Sequence, residues 1–345
     1  MKNTVYILVA LSLVLTSCKN DDWEFPDFDY QTVYFAYQYP VRTITLGDDI
    51  FDTSMDNEGK FKIIATTGGV YSSPQDVLVN VAVDNSLAED LLFEADGDEV
   101  MVLPSEYYQL SAQSIMIPKG EVTGGVEIQL NSGFFNDPQA IKNTYVLPLR
   151  ITEIANADSV LSGVGLVANP QRNNPADWSV IPKDFVLYAL KYVNPWHGNY
   201  LRRGQDVIKG TNGNTALDET VIRHAEFVVK DEVNFLETRS LNQVEFPLSY
   251  PGEDGTNIPA DIVLTFDESG NCTVSALGDG YTASGAGKFV SKGEVKSWGD
   301  KDRDVIYLQY EINLPEMTIS ATDTLVVRDR AVGMETFSPV VKNNN

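Results

Sequence analysis

Apolar and polar residues alternate with a period of two along most of this chain, which is typical of β-strands that bury one face. In residues 77–83, valine recurs at every second position. The same alternation is found in residues 126–131, 262–266, 306–312 and 325–328. No long amphipathic helix pattern interrupts these segments, so the sequence predicts an all-β fold.

The alternating segments form two series. Residues 169–175 separate them with two prolines and no periodic apolar pattern, which indicates a domain boundary. Closely spaced strands before the boundary predict a β-sandwich. Antiparallel strands after it must also bury one face, which favours a closed barrel or a second sandwich.

The first residues have the pattern of an export signal. Lys2 precedes an apolar stretch over residues 5–15, too short to span a bilayer as a mature helix. Leu15-Thr16-Ser17-Cys18 resembles the bacterial lipobox. We therefore predict a cleaved signal peptide over residues 1–17 and a lipid on Cys18. An ordinary secretory signal is the alternative, and it leaves the position of the thiol unexplained.

The residues after Cys18 indicate a location. Lys19-Asn20-Asp21-Asp22 resembles the acidic tag that sends Bacteroidetes lipoproteins to the outer face of the outer membrane. An N-terminal cysteine with several acyl chains is a stable anchor. We expect a protein that is lipid-anchored in the outer membrane and faces the cell exterior.

Charge and cysteine content narrow the choice of partners. The chain has 25 basic and 49 acidic residues, a net charge of −24. Such a surface repels nucleic acid and acidic polysaccharides, whereas neutral glycans remain candidates. With Cys18 lipidated, Cys272 has no partner for a disulfide. We expect Cys272 to pack in a core, because no charged neighbour activates its thiol.

Several segments resemble one family in order and spacing. They are Thr32-Val33-Tyr34-Phe35, residues 40–47, Glu106-Tyr107-Tyr108-Gln109-Leu110, residues 115–121 and residues 145–152. Together they resemble the domain of unknown function 1735 of Bacteroidetes surface lipoproteins. The resemblance implies an immunoglobulin-like sandwich, and family members are encoded in glycan-utilisation loci.

The second half resembles the companion domain of other two-domain members of this group. Its marks are residues 196–200 with Arg202, Arg203 and Gly204, then residues 264–267, 270–274, 284–289 and 298–299. Gly198 and Tyr200 are similar to the Gly-x-Trp start of lipocalin-type barrels, which implies a lipocalin-like antiparallel β-barrel.

The predicted organisation therefore has six parts. They are a signal peptide (1–17), a lipidated tether (18–29), an immunoglobulin-like sandwich (30–168), a linker (169–182), a β-barrel-like domain (183–340) and a tail (341–345).

The sequence favours a protein that is not an enzyme. Residues 181–345 are fewer than the roughly 200 that a (β/α)8 barrel needs. The acidic signature of the chitinase-like glycosidases that follow this module in some relatives is absent. Gly287-Lys288 lacks the other residues of a phosphate-binding loop, so no cofactor is predicted.

A metal site is a weak alternative at one acidic segment. Asp300, Asp302 and Asp304 stand at positions 1, 3 and 5 of a calcium-loop pattern. Position 6 is Val305 instead of glycine, and a strand follows directly. We predict a charged hairpin loop and no metal. His197 and His224 show no spacing that indicates a shared metal.

Aromatic residues are the candidates for ligand binding, because sugar rings stack on aromatic faces while their hydroxyls bond to polar side chains. The candidates are Trp298, Tyr281, Trp196 and Tyr200. Trp298 and Tyr281 stand in polar turns. The alternative for each is structural packing, most strongly for Trp196, which the lipocalin resemblance places under a barrel floor.

The leading hypothesis is a non-enzymatic surface lipoprotein that binds a neutral glycan for an outer-membrane uptake system. Its C-terminal domain is the expected ligand carrier, and outer-membrane transport proteins are further expected partners. One alternative is an adhesin or structural subunit that binds a protein, for which an apolar patch or an unpaired strand edge would be the mark. Another is a barrel that holds a small apolar molecule.

Overall fold

The computed structural model describes residues 28–342. The predicted signal peptide, Cys18 and most of the tether lie outside the described residues. Nearly all regular structure is strand, arranged as the two sheets of a sandwich and a closed eight-stranded antiparallel barrel. The predicted all-β class is confirmed.

Strands are numbered β1 to β27 along the chain. The first sandwich sheet contains, in spatial order, β11 (Ser159–Val160), β1 (Thr32–Tyr34), β3 (Lys60–Gly68), β9 (Thr123–Leu130) and β7 (Tyr108–Leu110). The second contains β26 (Glu335–Thr336), β2 (Pro40–Thr45), β14 (Phe185–Val193), β10 (Tyr145–Ala155), β4 (Val77–Val83) and β8 (Ser114–Ile117), with β6 (Met101–Val102) paired to β10. The pairs β1–β11, β2–β14 and β6–β10 are parallel.

The alternation in the sequence builds the core between these sheets. In β3, Phe61, Ile63 and Ala65 are buried while Lys62 and Ile64 face outward. Valine, isoleucine and leucine side chains from β4, β8 and β10 meet them across the sandwich, beside those of the neighbouring strand β9.

The outer face of the second sheet is also buried. Val146, Leu187 and Ala189 pack there beneath Leu91 and Phe337. Leu91 belongs to β5 (Leu91–Leu92), which pairs with β27 (Val340–Val341). The last described residues therefore complete the sandwich, although the sequence placed the chain up to residue 340 in the barrel.

The start of the second domain also differs from the sequence boundary at residue 183. β14 pairs with β2 and β10, so it is a sandwich strand, and its burial on both faces hides the alternation that marks exposed strands. The predicted linker contains β13 (Trp178–Val180), paired with β12 (Val164–Gly165). Trp178 is buried, and its Nε1 donates to the Gln171 carbonyl over 2.7 Å.

The barrel follows residue 197. Its strands are β15 (Gly198–Gly210), β17 (Glu232–Ser240), β18 (Gln243–Phe246), β21 (Ile262–Phe266), β22 (Asn271–Ala276), β23 (Thr282–Trp298), β24 (Lys301–Asn313) and β25 (Met317–Asp329). Pairing of β25 with β15 closes it. β16 (Glu219–Arg223) pairs with the second half of β15, and β19 (Ser249–Pro251) pairs with β20 (Asn257–Pro259).

Helices are few and short. They are α1 (Ser54–Asn57) and α2 (Ser132–Asn136), with 3-10 turns at Asn85–Ala88, Ser105–Tyr107, Pro175–Asp177, Thr211–Gly213, Thr215–Leu217 and Val228–Lys230. In the part of the chain that the structure describes, no helix has the length and apolar character needed to cross a bilayer.

Candidate functional site

A cleft of about 860 Å³ opens on the side of the sandwich, between β3 of the first sheet and β2 and β14 of the second. Two irregular segments form its rims. One is the loop 49–53 between β2 and β3, and the other is the segment 332–335 after the barrel. We call this space the sandwich cleft.

Aromatic and apolar side chains line the sandwich cleft and remain in contact with solvent. Tyr37 is 57% exposed, Phe51 70% and Met334 75%. Tyr188 lies deeper and stacks on Phe61, with ring centroids 5.5 Å apart. Exposed apolar groups gathered in a concave surface mark a binding site more often than a stable free surface.

The polar side chains of the cleft floor are arranged around one ion pair. The Arg42 guanidinium bonds to the Asp56 carboxylate, which also accepts the Thr45 amide over 2.9 Å. Burial raises the pKa of Asp56, while the Thr45 amide and Arg42 oppose that rise. Thr43 also lines the cleft, but its hydroxyl is buried away from solvent and has no hydrogen-bond partner among residues 28–342.

The rim of the cleft is negative. Asp49 and Asp52 line it without a basic partner in the described structure. Asp52 accepts a hydrogen bond from the Ser54 amide over 3.0 Å, which lowers the pKa of this carboxylate and keeps it ionised. Since Arg42 is paired with Asp56, the cleft repels anions and is compatible with uncharged ligands.

One wall of the cleft is a free strand edge. Leu130 N donates to Gly59 O, and Thr67 N donates to Val122 O, so odd-numbered residues of β3 bond to β9. The even-numbered residues Lys62 and Ile64 therefore point their backbone groups the other way. On that side β1 pairs only with Thr66–Gly68, so among the described strands Lys62 and Ile64 have a partner in β9 but none at this edge.

The structure does not bring the four aromatic candidates from the sequence into one site. Trp298 ends β23 and packs half-buried on an outer-face cluster of Leu201, Val305 and Val326. The Arg303 guanidinium covers the indole at 3.5 Å from the ring centroid. Arg303 therefore covers one face of the indole, and the side chain also packs on this cluster.

The other three candidates contact the barrel core. Trp196 stacks on Phe266 with ring centroids 4.0 Å apart. Tyr200 is 1% exposed, and its hydroxyl donates to the Trp196 carbonyl over 2.9 Å. Tyr281 donates to the Asp261 carbonyl over 2.6 Å and accepts from the Gly278 amide. These contacts give all three a packing role.

Two carboxylates of the acidic segment 300–304 accept hydrogen bonds from backbone amides of β23. Beyond Val290, each step of four residues along β23 lies opposite a step of two residues along β24, so β23 forms two bulges. Lys292 and Lys296 lie in these bulges and have positive φ angles. Asp304 accepts the Lys292 amide over 2.7 Å, and Asp302 accepts the Lys296 amide over 3.0 Å. Among residues 28–342 no three metal-ligating side chains converge.

Cys272 is buried, as predicted, and burial raises the pKa of its thiol to about 12. His197 Nδ1 accepts the Thr238 amide over 3.1 Å, and burial lowers the pKa of this imidazole to about 4. His224 is exposed, and its Nε2 lies 3.4 Å from Arg203 Nη1. The two histidines therefore have separate environments.

The barrel interior is filled by side chains. Apolar residues occupy most of it. Arg202 and Arg223 both pair with Asp323, each at 2.9 Å or less, and Arg223 also bonds to Asp206. The Tyr310 hydroxyl donates to Asp323 over 2.7 Å. A barrel packed in this way gives no support to the small-molecule alternative.

Sequence reasoning missed the sandwich cleft because its residues come from five separate segments. Two signals were present in the sequence. Phe51 stands within the polar loop Asp48-Asp49-Ile50-Phe51-Asp52, where a core residue is not expected, and Tyr37 follows β1 without an alternating partner.

Comparison with known proteins agrees with the two-part organisation. A model for a domain of unknown function (DUF5627) matches residues 195–331, and a second model, for an N-terminal domain, matches residues 28–158. No curated protein shows significant similarity.

Solved structures give one strong likeness. A Bacteroides ovatus protein of unknown function is 44% identical, with 91% of this chain and 100% of that chain covered and a TM-score of 0.86. A multidomain B. ovatus protein that includes DUF1735 is 12% identical, with coverages of 88% and 97% and a TM-score of 0.40. Another, proposed to bind carbohydrate, is 14% identical, with coverages of 90% and 100% and a TM-score of 0.29. The last two likenesses are too weak to carry an assignment, whereas the first shows that this chain belongs to the same family as the B. ovatus protein of unknown function.

Proposed function

We propose that this protein is a non-enzymatic surface lipoprotein that binds a neutral glycan in the sandwich cleft. The observation that carries the proposal is the gathering of exposed aromatic rings and hydrogen-bonding side chains in one concave space. Tyr37 and Phe51 offer faces for the C–H groups of a sugar ring. Asp49 and Asp52 offer hydrogen-bonding groups for its hydroxyls.

The ligand carrier in this proposal is the sandwich, not the C-terminal domain favoured by the sequence. The four aromatic candidates of the barrel region are engaged in packing, whereas Tyr37 and Phe51 of the cleft are exposed. The negative rim adds a selection against uronic acids and sulfated sugars.

Affinity electrophoresis of the purified protein in gels containing starch, xylan, mannan, galactan or polygalacturonate tests the proposal, with calorimetry on any polysaccharide that retards it. We expect retardation by at least one neutral polysaccharide and none by polygalacturonate. Loss of one stacking ring in Tyr37→Ala or Phe51→Ala should weaken binding about tenfold, equivalent to about 1.4 kcal/mol.

The matched control is Trp298→Ala, which removes an aromatic ring of similar size from the barrel. Its binding should equal that of the unchanged protein. The proposal fails if none of the neutral polysaccharides is bound, or if Trp298→Ala abolishes binding while both cleft variants retain it.

The anchor and location form a separate part of the proposal. Cys18 lies outside the described residues, so the support is its lipobox-like context. Mass spectrometry of the native N-terminal peptide should find an acylated cysteine, and protease treatment of intact cells should degrade the protein. A free amino terminus at residue 1, or complete protection from the protease, would contradict this part.

The free edge of β3 favours a second candidate function, the capture of an extended segment of a protein partner. The groups of Lys62 and Ile64 are available for strand addition, in which backbone hydrogen bonds supply affinity. A photoreactive side chain substituted at Lys62 should then cross-link to a partner in cells, whereas one at the solvent-facing Glu311 should not. Equal labelling at both positions would argue against this candidate.

A further inference from the structure

Arg330 is a buried arginine at the point where the chain leaves the barrel. It follows β25 directly and is 5% exposed. Its guanidinium donates four hydrogen bonds, all to backbone carbonyls: Asn194 (2.6 Å), His197 (2.8 Å), Asp48 (2.9 Å) and Leu46 (3.0 Å). Among residues 28–342 no carboxylate forms an ion pair with it. Four carbonyl dipoles therefore take the place of water around the guanidinium, and the carboxylates of Asp48, Asp49 and Asp304 attract it only from beyond ion-pair distance.

These carbonyls belong to two different parts of the molecule. Asn194 and His197 lie in the connection from β14 to the barrel, while Leu46 and Asp48 lie in the loop after β2. Because the guanidinium is planar and its donors have fixed directions, it sets the orientation of both backbones at once. A flexible or misaligned carbonyl would leave a buried charge partly unsolvated.

Both rims of the sandwich cleft continue from segments that are fixed by the Arg330 side chain. The loop held through Leu46 and Asp48 continues into the rim residues 49–53. The chain after Arg330 continues into the opposite rim, residues 332–335. One guanidinium thus links the positions of both rims to the end of the barrel.

At the same junction, Gly47 lets the loop after β2 pack closely against the connection between β14 and the barrel. Its φ is +85°, and a Cβ at this position would lie 2.8 Å from Cβ of Pro195. The loop therefore packs against the connection between domains at a distance that only glycine allows.

We propose that Arg330 is a positioning residue for the sandwich cleft, and that the barrel serves ligand capture by bracing the two rims at a fixed spacing. The part that concerns ligand capture rests on the proposed function, whereas the bracing of the rims does not. The barrel then needs no ligand site of its own.

Hydrogen exchange measured by mass spectrometry tests the bracing. Arg330→Met keeps the length of the side chain and removes its donors. Amides in residues 46–53 and 332–337 should exchange about tenfold faster in this variant, while those of β24 should be unchanged. Arg330→Lys, which keeps the charge with fewer donors, should show a smaller effect. Arg328→Met is the matched control, because Arg328 is half-exposed on the same strand end.

The effect of Arg330 on ligand capture is measured with the polysaccharide that retards the unchanged protein. Arg330→Met should weaken its binding severalfold, and Arg328→Met should not. Loosened rims with unchanged affinity would overturn the positioning role. If no polysaccharide is bound by the unchanged protein, the proposed function fails, and the exchange rates still decide whether Arg330 braces the rims.

Unchanged rim exchange in a folded Arg330→Met protein would overturn the bracing itself. If that variant unfolds, Arg330→Lys and Gly47→Ala decide in its place. Normal exchange of both rims in these two folded variants would equally overturn the proposal.

Discussion

Inside the barrel, Arg202, Arg223, Asp206 and Asp323 pair with one another behind a closed wall, whereas in the sandwich the Arg42–Asp56 pair lies on the floor of an open cleft. Trp196 and Trp298 of the barrel region pack against neighbours, while the cleft leaves Tyr37 and Phe51 in solvent. The difference teaches that similar residue types can serve stability in one domain and remain available for binding in the other. Sequence composition alone does not separate these cases.

Among the variants that test this difference between the two domains, a change of Asp323 should have the largest effect on stability. Asp323→Ala leaves the buried Arg202 and the largely buried Arg223 without their shared carboxylate. We expect the free energy of unfolding to fall by about 3 to 5 kcal/mol. Urea unfolding followed by circular dichroism measures it. Glu311→Ala, an exposed change on β24, is the control, and an equal loss in both variants would break the contrast.

A second test concerns the return of the chain to the sandwich. Phe337 is 8% exposed and contacts Tyr39 and Phe93 on the outer face of the second sheet. Phe337→Ala should destabilise the protein by about 3 kcal/mol. Met334→Ala, three residues earlier and exposed, should leave the midpoint of thermal unfolding nearly unchanged. A Phe337→Ala midpoint within error of the unchanged protein would show that the tail does not support the sandwich.

The smallest effect is a pH dependence at the junction. The pKa of His197 is about 4 in the folded protein and near 6.5 in the unfolded chain, so the unfolded chain binds the proton more readily. Stability is therefore full above pH 6.5 and is lost as the pH falls towards 4. Between pH 7.5 and 5 the loss from this group is about 2 kcal/mol. His197→Gln keeps an acceptor for Thr238 and should reduce the pH dependence of urea unfolding by that amount. Identical pH dependence in both proteins would contradict the shift.

The sequence predicted the strands well because alternation reports directly which face of a strand is buried. Alternation alone left a closed barrel and a second sandwich open for the second domain, and the lipocalin-type resemblance at Gly198 and Tyr200 favoured the barrel. It did not predict the partner of β14, since a strand buried on both faces carries no alternation and its neighbours lie far away in sequence. The role of Phe337 was equally hidden, because the pocket that receives it is built by residues from β2, β5 and β14.

The sequence predicted the chemistry of the candidate site but not its position in the fold. Aromatic rings beside polar groups were the expected chemistry, and the sandwich cleft has them. Trp298 was the preferred candidate because it stands in a polar turn, but two bulges in β23 bend that turn back onto Leu201 and Val326. Bulge geometry depends on carboxylates across the hairpin, which a strand pattern does not reveal.

The order of pairing has a consequence for biosynthesis. β2 is synthesised early, yet its neighbour β26 follows only after the whole barrel, which lies between them in the chain. A nascent sandwich is therefore left with one flank uncovered until β26 has been synthesised, because these contacts join residues that are distant in sequence. A product shortened before β26 would expose an aggregation-prone face to proteases and chaperones.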